Sequence, residues 1–169
     1  MKTINIIGEN YLGRWKKARV ACRGIVLRGN EILLSYETLD DQWMLPGGGL
    51  EEGEEERICC ARKIAEETGV LAEPSACALE INEYYRDRKW VNRYFLCRAV
   101  GSAQPRLTER ERAAGMEPRW LPLEEVKSIF AQYPRYTGLD EMRRGLYLRE
   151  YTALNELVKR GDHEPVGSL

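Results

Sequence analysis

A proline and three glycines interrupt the chain at residues 46–49, and a long helical segment follows them. Pro46 and the glycines are expected to stop regular structure, because proline lacks an amide hydrogen and glycine loses the most entropy when ordered. Residues 54–68 contain no glycine or proline, and Gly69 is suited to end a helix in a left-handed conformation. The sequence therefore predicts a glycine-rich loop that leads into an acidic helix.

Extended segments flank this loop and helix on both sides. Residues 18–36 are rich in Val, Ile and Leu around the turn-forming pair Gly29 and Asn30, which predicts a β-hairpin. Further strands are predicted at residues 43–45, 76–85, 89–100 and 119–123, with a turn at Asp87 and Arg88. These strands predict a mixed sheet.

The second half of the chain contains a polar segment and two predicted helices. Residues 101–118 are broken by glycine and proline and predict a long mobile loop, a type of segment that is often functional. Helices are predicted near 123–131 and 139–160. The second carries an apolar stripe that is expected to pack on the domain rather than in a dimer contact.

The length of the chain favours one domain. At 169 residues it is long enough to bury a core but short for two independent domains. We expect a single domain over residues 1–169, with its core at about 18–160. Residues 1–17 are interpreted as an N-terminal extension and residues 161–169 as a polar tail.

The charge balance argues against nucleic-acid and membrane partners. Lys and Arg number 26 against 27 Asp and Glu, the net charge is -1, and the charges are interspersed. No apolar run approaches the length of a membrane span, and the N-terminus lacks a secretory signal. We therefore expect a cytoplasmic protein, either a monomer or a homodimer, that binds neither nucleic acid nor membrane.

The cysteines and the histidine give no sign of a metal or nucleophilic site. Five cysteines form no C-x-x-C spacing, and an odd number favours reduced, buried thiols over a disulfide framework. The only histidine, His163, lies in the polar tail. A zinc site or a histidine-based catalytic triad is therefore not expected.

The acidic helix has two contrasting faces when its residues are placed about 100° apart. Lys63 is predicted to point almost directly away from the core, at the centre of the carboxylates. The predicted buried face comprises Ile58, Ala61, Ile64, Ala65 and Thr68, and the opposite face carries Glu56, Lys63, Glu66 and Glu67. Adjacent carboxylates repel, so a hard cation such as Mg²⁺ or Mn²⁺ would suit them, although many acidic faces are simply solvated.

The segment from Gly48 to Val70, GGLEEGEEERICCARKIAEETGV, resembles the signature of the Nudix hydrolases, G-x5-E-x7-R-E-U-x-E-E-x-G-U, in which U is a bulky aliphatic residue. Only Lys63 departs from it, where the family has glutamate. The matching positions are Gly48, Glu54, Arg62, Ile64, Glu66, Glu67, Gly69 and Val70. Neighbouring segments, including WMLPGGG and RWLPLEEV, are also similar, so the resemblance covers roughly residues 18–160.

The resemblance implies an α/β (α+β) fold, an α/β/α sandwich with a mixed sheet and a loop–helix–loop catalytic motif. It implies Mg²⁺-dependent (or Mn²⁺-dependent) hydrolysis of a nucleoside diphosphate linked to another moiety, such as a nucleotide sugar, a dinucleotide or a nucleoside triphosphate. By position, Glu66 and Glu67 would lie near the metal, with Glu67 the direct ligand and the carbonyl of Gly47 or Gly48 assisting. Arg62 would orient the acids.

Lysine at position 63 leaves several interpretations open, because a protonated lysine cannot bind Mg²⁺. In one interpretation the enzyme is active with fewer metals and takes its base from Glu109, Glu111 or Glu117. In a second interpretation Lys63 contacts substrate phosphate directly, as a point charge in place of a metal. The alternative is a catalytically impaired protein that binds a nucleotide as a regulatory or scavenging module. An ion pair between Lys63 and Glu67, placed four residues apart, is a further possibility.

The substrate is less well defined by the sequence, although a nucleotide-type small molecule is expected. Tyr36, Trp43, Tyr84 and Tyr85 lie on predicted strands, where they either stack on a nucleobase or belong to the core. The second role is more common for aromatic residues on strands.

Overall fold

The computed structural model describes residues 1–158. His163, the predicted tail 161–169 and the end of the predicted helix 139–160 lie outside these residues. The strands are β1 (Lys2–Ile7), β2 (Lys17–Arg28), β3 (Glu31–Glu37), β4 (Gln42–Met44), β5 (Gly47–Gly49), β6 (Val70–Tyr85), β7 (Arg88–Ser102) and β8 (Met116–Pro122). The helices are α1 (Glu56–Thr68), α2 (Glu109–Ala113), α3 (Leu123–Phe130) and α4 (Glu141–Leu157), with a 3₁₀ helix at Tyr133–Tyr136.

The strands form one mixed sheet, as predicted, in the order β1-β6-β7-β2-β3-β4. The pairs β1–β6 and β2–β7 are parallel, whereas β2–β3, β3–β4 and β6–β7 are antiparallel. Two strands lie off this path, since β5 pairs with β2 and β8 pairs with β3.

Helices cover both faces of the sheet and produce two hydrophobic cores. On one face, α1 buries Cys59, Cys60 and Ile64 against β2, β3 and β7. On the other face, α3 and α4 contribute Phe130, Tyr147 and their neighbours to a larger cluster. This is the predicted α/β/α sandwich, and the apolar residues of α4 pack on the domain as expected.

The sheet opens between β2 and β3, and this opening positions the candidate site. The two strands pair only at Leu27–Ile32 and Arg28–Glu31. Beyond these pairs, β2 pairs with β5, while β3 pairs with β4 at Ser35–Glu37. The glycines of β5 therefore lie at the opening, beside the C-terminal half of α1.

The prediction of an irregular loop at residues 46–49 is wrong in part, because Gly47–Gly49 form β5. These glycines pair antiparallel with Ala21, Cys22 and Arg23 of β2. A Cβ at Gly47 would lie 2.3 Å from the Cys22 carbonyl oxygen, so only glycine allows this close pairing.

The N-terminal residues also differ from the prediction. Residues 1–17 are not an extension outside the fold, because Lys2–Ile7 form β1 and pair in parallel with β6. Ile4 and Ile6 are half-buried and alternate with exposed residues, which is the pattern of a strand with one face on the core. Six residues are too short a segment for the hydrophobic pattern alone to have revealed this pairing.

The predicted mobile loop 101–118 is largely structured. Strand β7 extends to Ser102, β8 begins at Met116, and α2 lies between them. Helix α2 begins at Thr108 with a reciprocal cap, in which Thr108 and Glu111 each accept a backbone hydrogen bond from the other residue. This cap explains how a short polar helix forms in a segment without an apolar pattern.

Helix α1 ends at Gly69 as predicted, with the glycine in a left-handed conformation at φ 73°. Its buried face differs from the prediction, because Ile58 is 58% exposed whereas Cys59, Cys60 and Glu67 are buried. The strand of glycines covers the side that the helical wheel assigned to solvent. Lys63, predicted to point away from the core, has a side chain that is only 17% exposed.

The remaining expectations concern the cysteines and membranes. All the cysteines are free, and four of them are buried, which confirms their interpretation as reduced thiols. The fifth, Cys77, is half-buried. Within residues 1–158, no helix is long and apolar enough to cross a membrane.

Candidate active site

The candidate site lies where the C-terminal half of α1 faces the opening in the sheet. Three elements surround the acids of α1: the glycine strand β5, strand β3, and helix α2. Helix α2 is distant in the sequence from β3 and β5. The fold brings the sequence-predicted residues together with others that the signature does not contain.

Glu67 is the buried acid of the site, with 5% of its surface exposed. Its Oε2 accepts hydrogen bonds from Ser35 Oγ at 2.8 Å and from the Gly47 amide at 3.3 Å. The pKa of Glu67 is raised to about 7, mainly by burial and also by the negative charge of Glu111, while the hydrogen bonds from Ser35 and the Gly47 amide and the charge of Arg23 oppose the shift. The protein therefore leaves this carboxylate only partly compensated.

Glu66, the neighbouring acid, is neutralised by two basic side chains. Arg62 Nη1 lies 3.3 Å from both carboxylate oxygens, and Lys63 Nζ lies 3.2 Å from Oε2. Burial raises the pKa of Glu66, but the hydrogen bond and charge of Lys63, together with Arg62, outweigh it and lower the pKa overall. Glu66 is therefore held ionised by cations of the protein itself.

Arg62 is fixed at the start of this arrangement by Glu54. Its Nε donates to Glu54 Oε1 at 2.7 Å and its Nη2 donates to Oε2 at 2.9 Å, a two-point contact. The Arg62 hydrogen bond is the main reason that the pKa of Glu54 falls to about 2. Glu54 therefore supports Arg62 from the segment just before α1.

Lys63 is built into the site rather than solvated. Its aliphatic chain lies against the backbone of Gly48, where a Cβ would come within 2.7 Å of Lys63 Cε. The anticipated ion pair between Lys63 and Glu67 is wrong, because the ammonium group pairs with Glu66 three residues along the helix. Glu67 is instead turned towards Ser35 and Gly47.

Among the three acids proposed as a base, Glu111 is the one near α1. It is 8% exposed, and its charge acts on Glu67. Glu109 is exposed to solvent, while Glu117 lies on β8 and pairs with Arg119. One oxygen of Glu111 also accepts the Thr108 amide at 2.9 Å, which fixes the orientation of its carboxylate.

Two residues of the site, Ser35 and Arg23, were not singled out by the sequence. Ser35 is a polar residue that directly follows a run of buried aliphatic residues on β3. A buried polar side chain needs a hydrogen-bond partner, and this was the signal in the sequence that could have identified it. Arg23 lies in an apolar strand next to Gly24. Neither position identifies a partner on α1, because the contact depends on the opening between β2 and β3.

The residues around Glu67 fit one hard cation. Carboxylates of Glu67 and Glu111, with the nearby carbonyls of Gly47 and Gly48, are the oxygen donors that Mg²⁺ and Mn²⁺ prefer. The pKa of Glu67 is raised mainly by burial and also by the charge of Glu111, so a bound cation would stabilise its ionised form. Glu66 does not fit a second cation, since Arg62 and Lys63 already surround it. Within residues 1–158 no group of three or more His, Cys, Asp or Glu side chains is arranged to hold a metal ion.

A cleft of about 760 Å³ adjoins the site on the face of the sheet that also carries α4. Gly48 and Gly49 form one end of it, and Trp90 and Tyr85 lie along its length. Five arginines and three acids line the cleft, which gives it a net positive character. Of the predicted aromatic residues, Tyr85 lines the cleft, whereas Tyr36 and Trp43 stack on each other at 3.9 Å between ring centres.

The sequence of the chain is similar to a known protein family and to several of its members. The NUDIX domain matches residues 17–141. A MutT-like protein from Streptomyces ambofaciens is 31% identical over 126 residues, covering 73% of this chain and 76% of that protein. An RNA pyrophosphohydrolase from Cereibacter sphaeroides is 27% identical over 133 residues, covering 68% of this chain and 82% of the relative.

Solved structures show the same fold. A NUDIX hydrolase from Nitrosomonas europaea superposes with a TM-score of 0.57 at 17% identity, covering 81% of this chain and 90% of that one. The solution structure of the E. coli ORF135 protein gives a TM-score of 0.55 at 22% identity, with 86% and 96% covered. The mixed sheet between helices is thus shared with these proteins.

Proposed function

The chain belongs to the NUDIX family of pyrophosphohydrolases, and from that membership we propose that it hydrolyses the pyrophosphate of a nucleoside diphosphate linked to another moiety, with one divalent cation. The observation that carries the proposal is the placement of Glu67, a buried and partly compensated carboxylate beside the glycine strand and Glu111. Mg²⁺ or Mn²⁺, held by Glu67 and a carbonyl of Gly47 or Gly48, would polarise the attacking water and the phosphate.

Glu111 is proposed as the group that accepts the proton of the attacking water. It is the only acid of the segment 101–118 whose charge acts on Glu67, and its carboxylate is oriented by the Thr108 amide. Helix α2 holds it at the opening of the sheet, where a water beside Glu67 would be within reach. The other oxygen of Glu111 has no hydrogen bond among the described residues, which leaves it available for this role.

Lys63 is proposed to bind substrate phosphate as a fixed positive charge. Its chain lies along Gly48, a residue that lines the cleft, and its ammonium group pairs with Glu66. A lysine in this position would supply the positive charge that a second bound metal ion would otherwise provide. Arg62, fixed on Glu54, holds both Glu66 and the start of the glycine strand through the Gly49 carbonyl.

The substrate is proposed to be a nucleotide-type small molecule: a nucleotide sugar, a dinucleotide or a nucleoside triphosphate. The positive cleft supports this proposal, since a phosphate chain extending from the site would lie along its arginines. Trp90 and Tyr85 offer aromatic surface for a nucleobase. An RNA with a 5′-triphosphate serves as the comparison substrate, because relatives of the chain are named RNA pyrophosphohydrolases.

The test is a phosphate-release screen of the purified protein with Mg²⁺ and with Mn²⁺. The panel contains a nucleotide sugar, a dinucleoside polyphosphate, a nucleoside triphosphate and the triphosphorylated RNA. We expect turnover of at least one small nucleotide by the wild-type protein, with loss of turnover in the presence of EDTA. Glu67→Gln, which keeps the shape of the side chain, is the negative control.

Lys63→Glu separates hydrolysis from the alternative of a binding module. If Lys63 serves an active enzyme, the variant loses affinity for substrate and gains affinity for the cation. A wild-type protein that turns over nothing, together with a Lys63→Glu variant that does, would show instead that the lysine has converted the site to binding alone. Turnover of RNA but of no small nucleotide would contradict the proposed substrate class.

A further inference from the structure

Among the arginines that line the cleft, Arg23 is the one whose charge acts on Glu67. Arg23 lies on β2 at the floor of the cleft, and its stem runs directly beneath β5. A Cβ at Gly47 would lie 2.7 Å from Arg23 Cα and 2.8 Å from its Cγ. Because the Gly47 amide donates to Glu67, a single glycine separates the arginine from the buried carboxylate.

The side chain of Arg23 is held in place by a buried chain of polar residues. Its Nε donates to Asn92 Oδ1 at 3.0 Å, and Asn92 Nδ2 donates to Glu83 Oε2 at 2.9 Å. Arg149 from α4 donates to the same Glu83 oxygen at 3.1 Å and to Glu150 at 2.7 Å. Asn92, Glu83 and Arg149 are at most 7% exposed, so this support is rigid and shielded from water.

The charge of Arg23 is not matched by a carboxylate of its own. Glu83 is already paired with Arg149, and the ion pairs among residues 1–158 do not include Arg23. Its hydrogen-bond partner, Asn92, is neutral. The half-buried guanidinium group, whose charge acts on Glu67 without forming an ion pair, can therefore bind a further anion, and it borders a cleft large enough for a nucleotide.

We propose that Arg23 is a phosphate-binding residue, whose guanidinium group contacts an oxygen of the substrate pyrophosphate on the cleft side of Glu67. This inference rests on the proposed function of the same site. The guanidinium group presents paired N–H donors that match two phosphate oxygens, and the Asn92–Glu83–Arg149 chain fixes their direction before substrate binds. The phosphate chain would then lie against Arg23 where it runs beneath Gly47.

The role assigned to Arg23 has two consequences for the reaction. Since the guanidinium group is fixed, it adds no reorganisation cost as negative charge increases on the phosphate oxygens. It also anchors the phosphate chain at the point where the cleft meets the site, so the nucleoside extends towards Trp90. Substrate affinity and turnover are therefore both expected to depend on Arg23, whereas cation binding depends on Glu67.

The experiment measures ADP binding by calorimetry in EDTA, so that neither turnover nor a divalent cation contributes. We expect Arg23→Gln to weaken ADP binding about tenfold or more relative to wild type, and Arg23→Lys to be intermediate, because lysine keeps the charge but loses the paired donors. Arg98→Gln is the matched control, since Arg98 lies on neighbouring β7 but is exposed and pairs only with Glu73. It should bind ADP as wild type does.

Two further readouts keep this inference separate from the proposed function. In turnover assays, Arg23→Gln should lower kcat/KM while its affinity for Mn²⁺ stays unchanged. Equal ADP binding by wild type and a folded Arg23→Gln, or no ADP binding by wild type, would overturn the inference, even for an active enzyme. Arg23-dependent ADP binding by a protein that hydrolyses nothing would support it while removing the proposed function.

Discussion

Two adjacent glutamates on one helix have opposite environments. Glu66 is surrounded by Arg62 and Lys63, and its pKa is lowered. Glu67 is buried against a serine hydroxyl and a glycine amide, and its pKa is raised to about 7. The side chains belong to consecutive residues, yet one receives its counter-charge from the protein and the other does not.

The difference shows how a lysine changes the site without removing it. Lys63 takes up the charge of Glu66, so the remaining demand for a cation falls on Glu67 and its neighbour Glu111. A carboxylate that is buried and only partly compensated favours binding of a cation, because binding relieves both the desolvation and the repulsion. The comparison therefore assigns cation binding to Glu67 and structural support to Glu66.

The largest effect is expected from Glu67→Gln, which removes the charge but keeps the hydrogen-bonding shape. Turnover should fall about 100-fold or more, since the variant would lose a ligand of the cation. Glu66→Gln, the matched change one residue away, should reduce turnover far less. Steady-state kinetics of both variants with the best substrate of the panel measures this difference. Equal losses of turnover in the two variants would contradict the different roles of Glu66 and Glu67.

The stability of the protein should depend on pH through Glu67. Its folded pKa, about 7, lies above the ordinary value of 4.5. Between these values the folded protein binds a proton that the unfolded chain has lost, so stability falls as pH rises through this window and levels off above it. The shift corresponds to about 3 kcal/mol in the free energy of unfolding.

Urea unfolding in EDTA at pH 5 and pH 8 measures this effect. Wild type should lose more stability across the interval than Glu67→Gln, because glutamine does not titrate. Glu66→Gln should keep the wild-type loss, since the pKa of Glu66 is lowered and it stays ionised throughout. A wild-type protein no more pH-sensitive than Glu67→Gln would contradict the assignment of the raised pKa to Glu67.

A smaller effect is expected from Arg62→Lys. Lysine keeps the positive charge but cannot reproduce the two-point contact with Glu54 while also reaching Glu66 and the Gly49 carbonyl. Turnover should fall about tenfold, a typical cost of losing a group that orients site residues. An unchanged rate in this variant would show that Arg62 contributes charge alone.

The smallest effect is expected from Ser35→Ala. The Ser35 hydroxyl donates to Glu67 and lowers the pKa of that carboxyl, so its removal should raise the pKa further. Turnover should fall about threefold at neutral pH and recover at higher pH, where Glu67 is ionised again. A pH–rate profile of the variant checks this; a loss that is independent of pH would mean that the serine acts through packing.

Much of the fold was predictable, since hydrophobic patterns and glycine positions predicted the hairpin, the end of α1 and the helices on the C-terminal side. Strands β1 and β5 were missed because short segments pair according to tertiary contacts, and β5 consists only of glycines. Helix α2 was missed because its start depends on a polar cap rather than an apolar stripe. In each case the local pattern was too weak to indicate the structure.

The residues of the site that could be named from the sequence belong to the signature or to the segment 101–118, which supplied Glu111 as one of three candidate acids. The signature identifies Arg62, Glu66 and Glu67, whereas Arg23 and Ser35 come from strands whose separation creates the opening. The helical wheel placed Lys63 in solvent, because it contains no information about the strand that covers the helix. The placement of Arg23, Ser35 and Lys63 depends on contacts between segments, which local sequence patterns do not contain.

The difference between the two glutamates is tested most directly by Mn²⁺ binding, measured by calorimetry on wild type, Glu66→Gln and Glu67→Gln at pH 8. We predict that wild type binds one Mn²⁺, that Glu66→Gln binds it within about threefold of the wild-type affinity, and that Glu67→Gln loses at least about tenfold. The opposite order, with Glu66→Gln the weaker variant, would contradict the account.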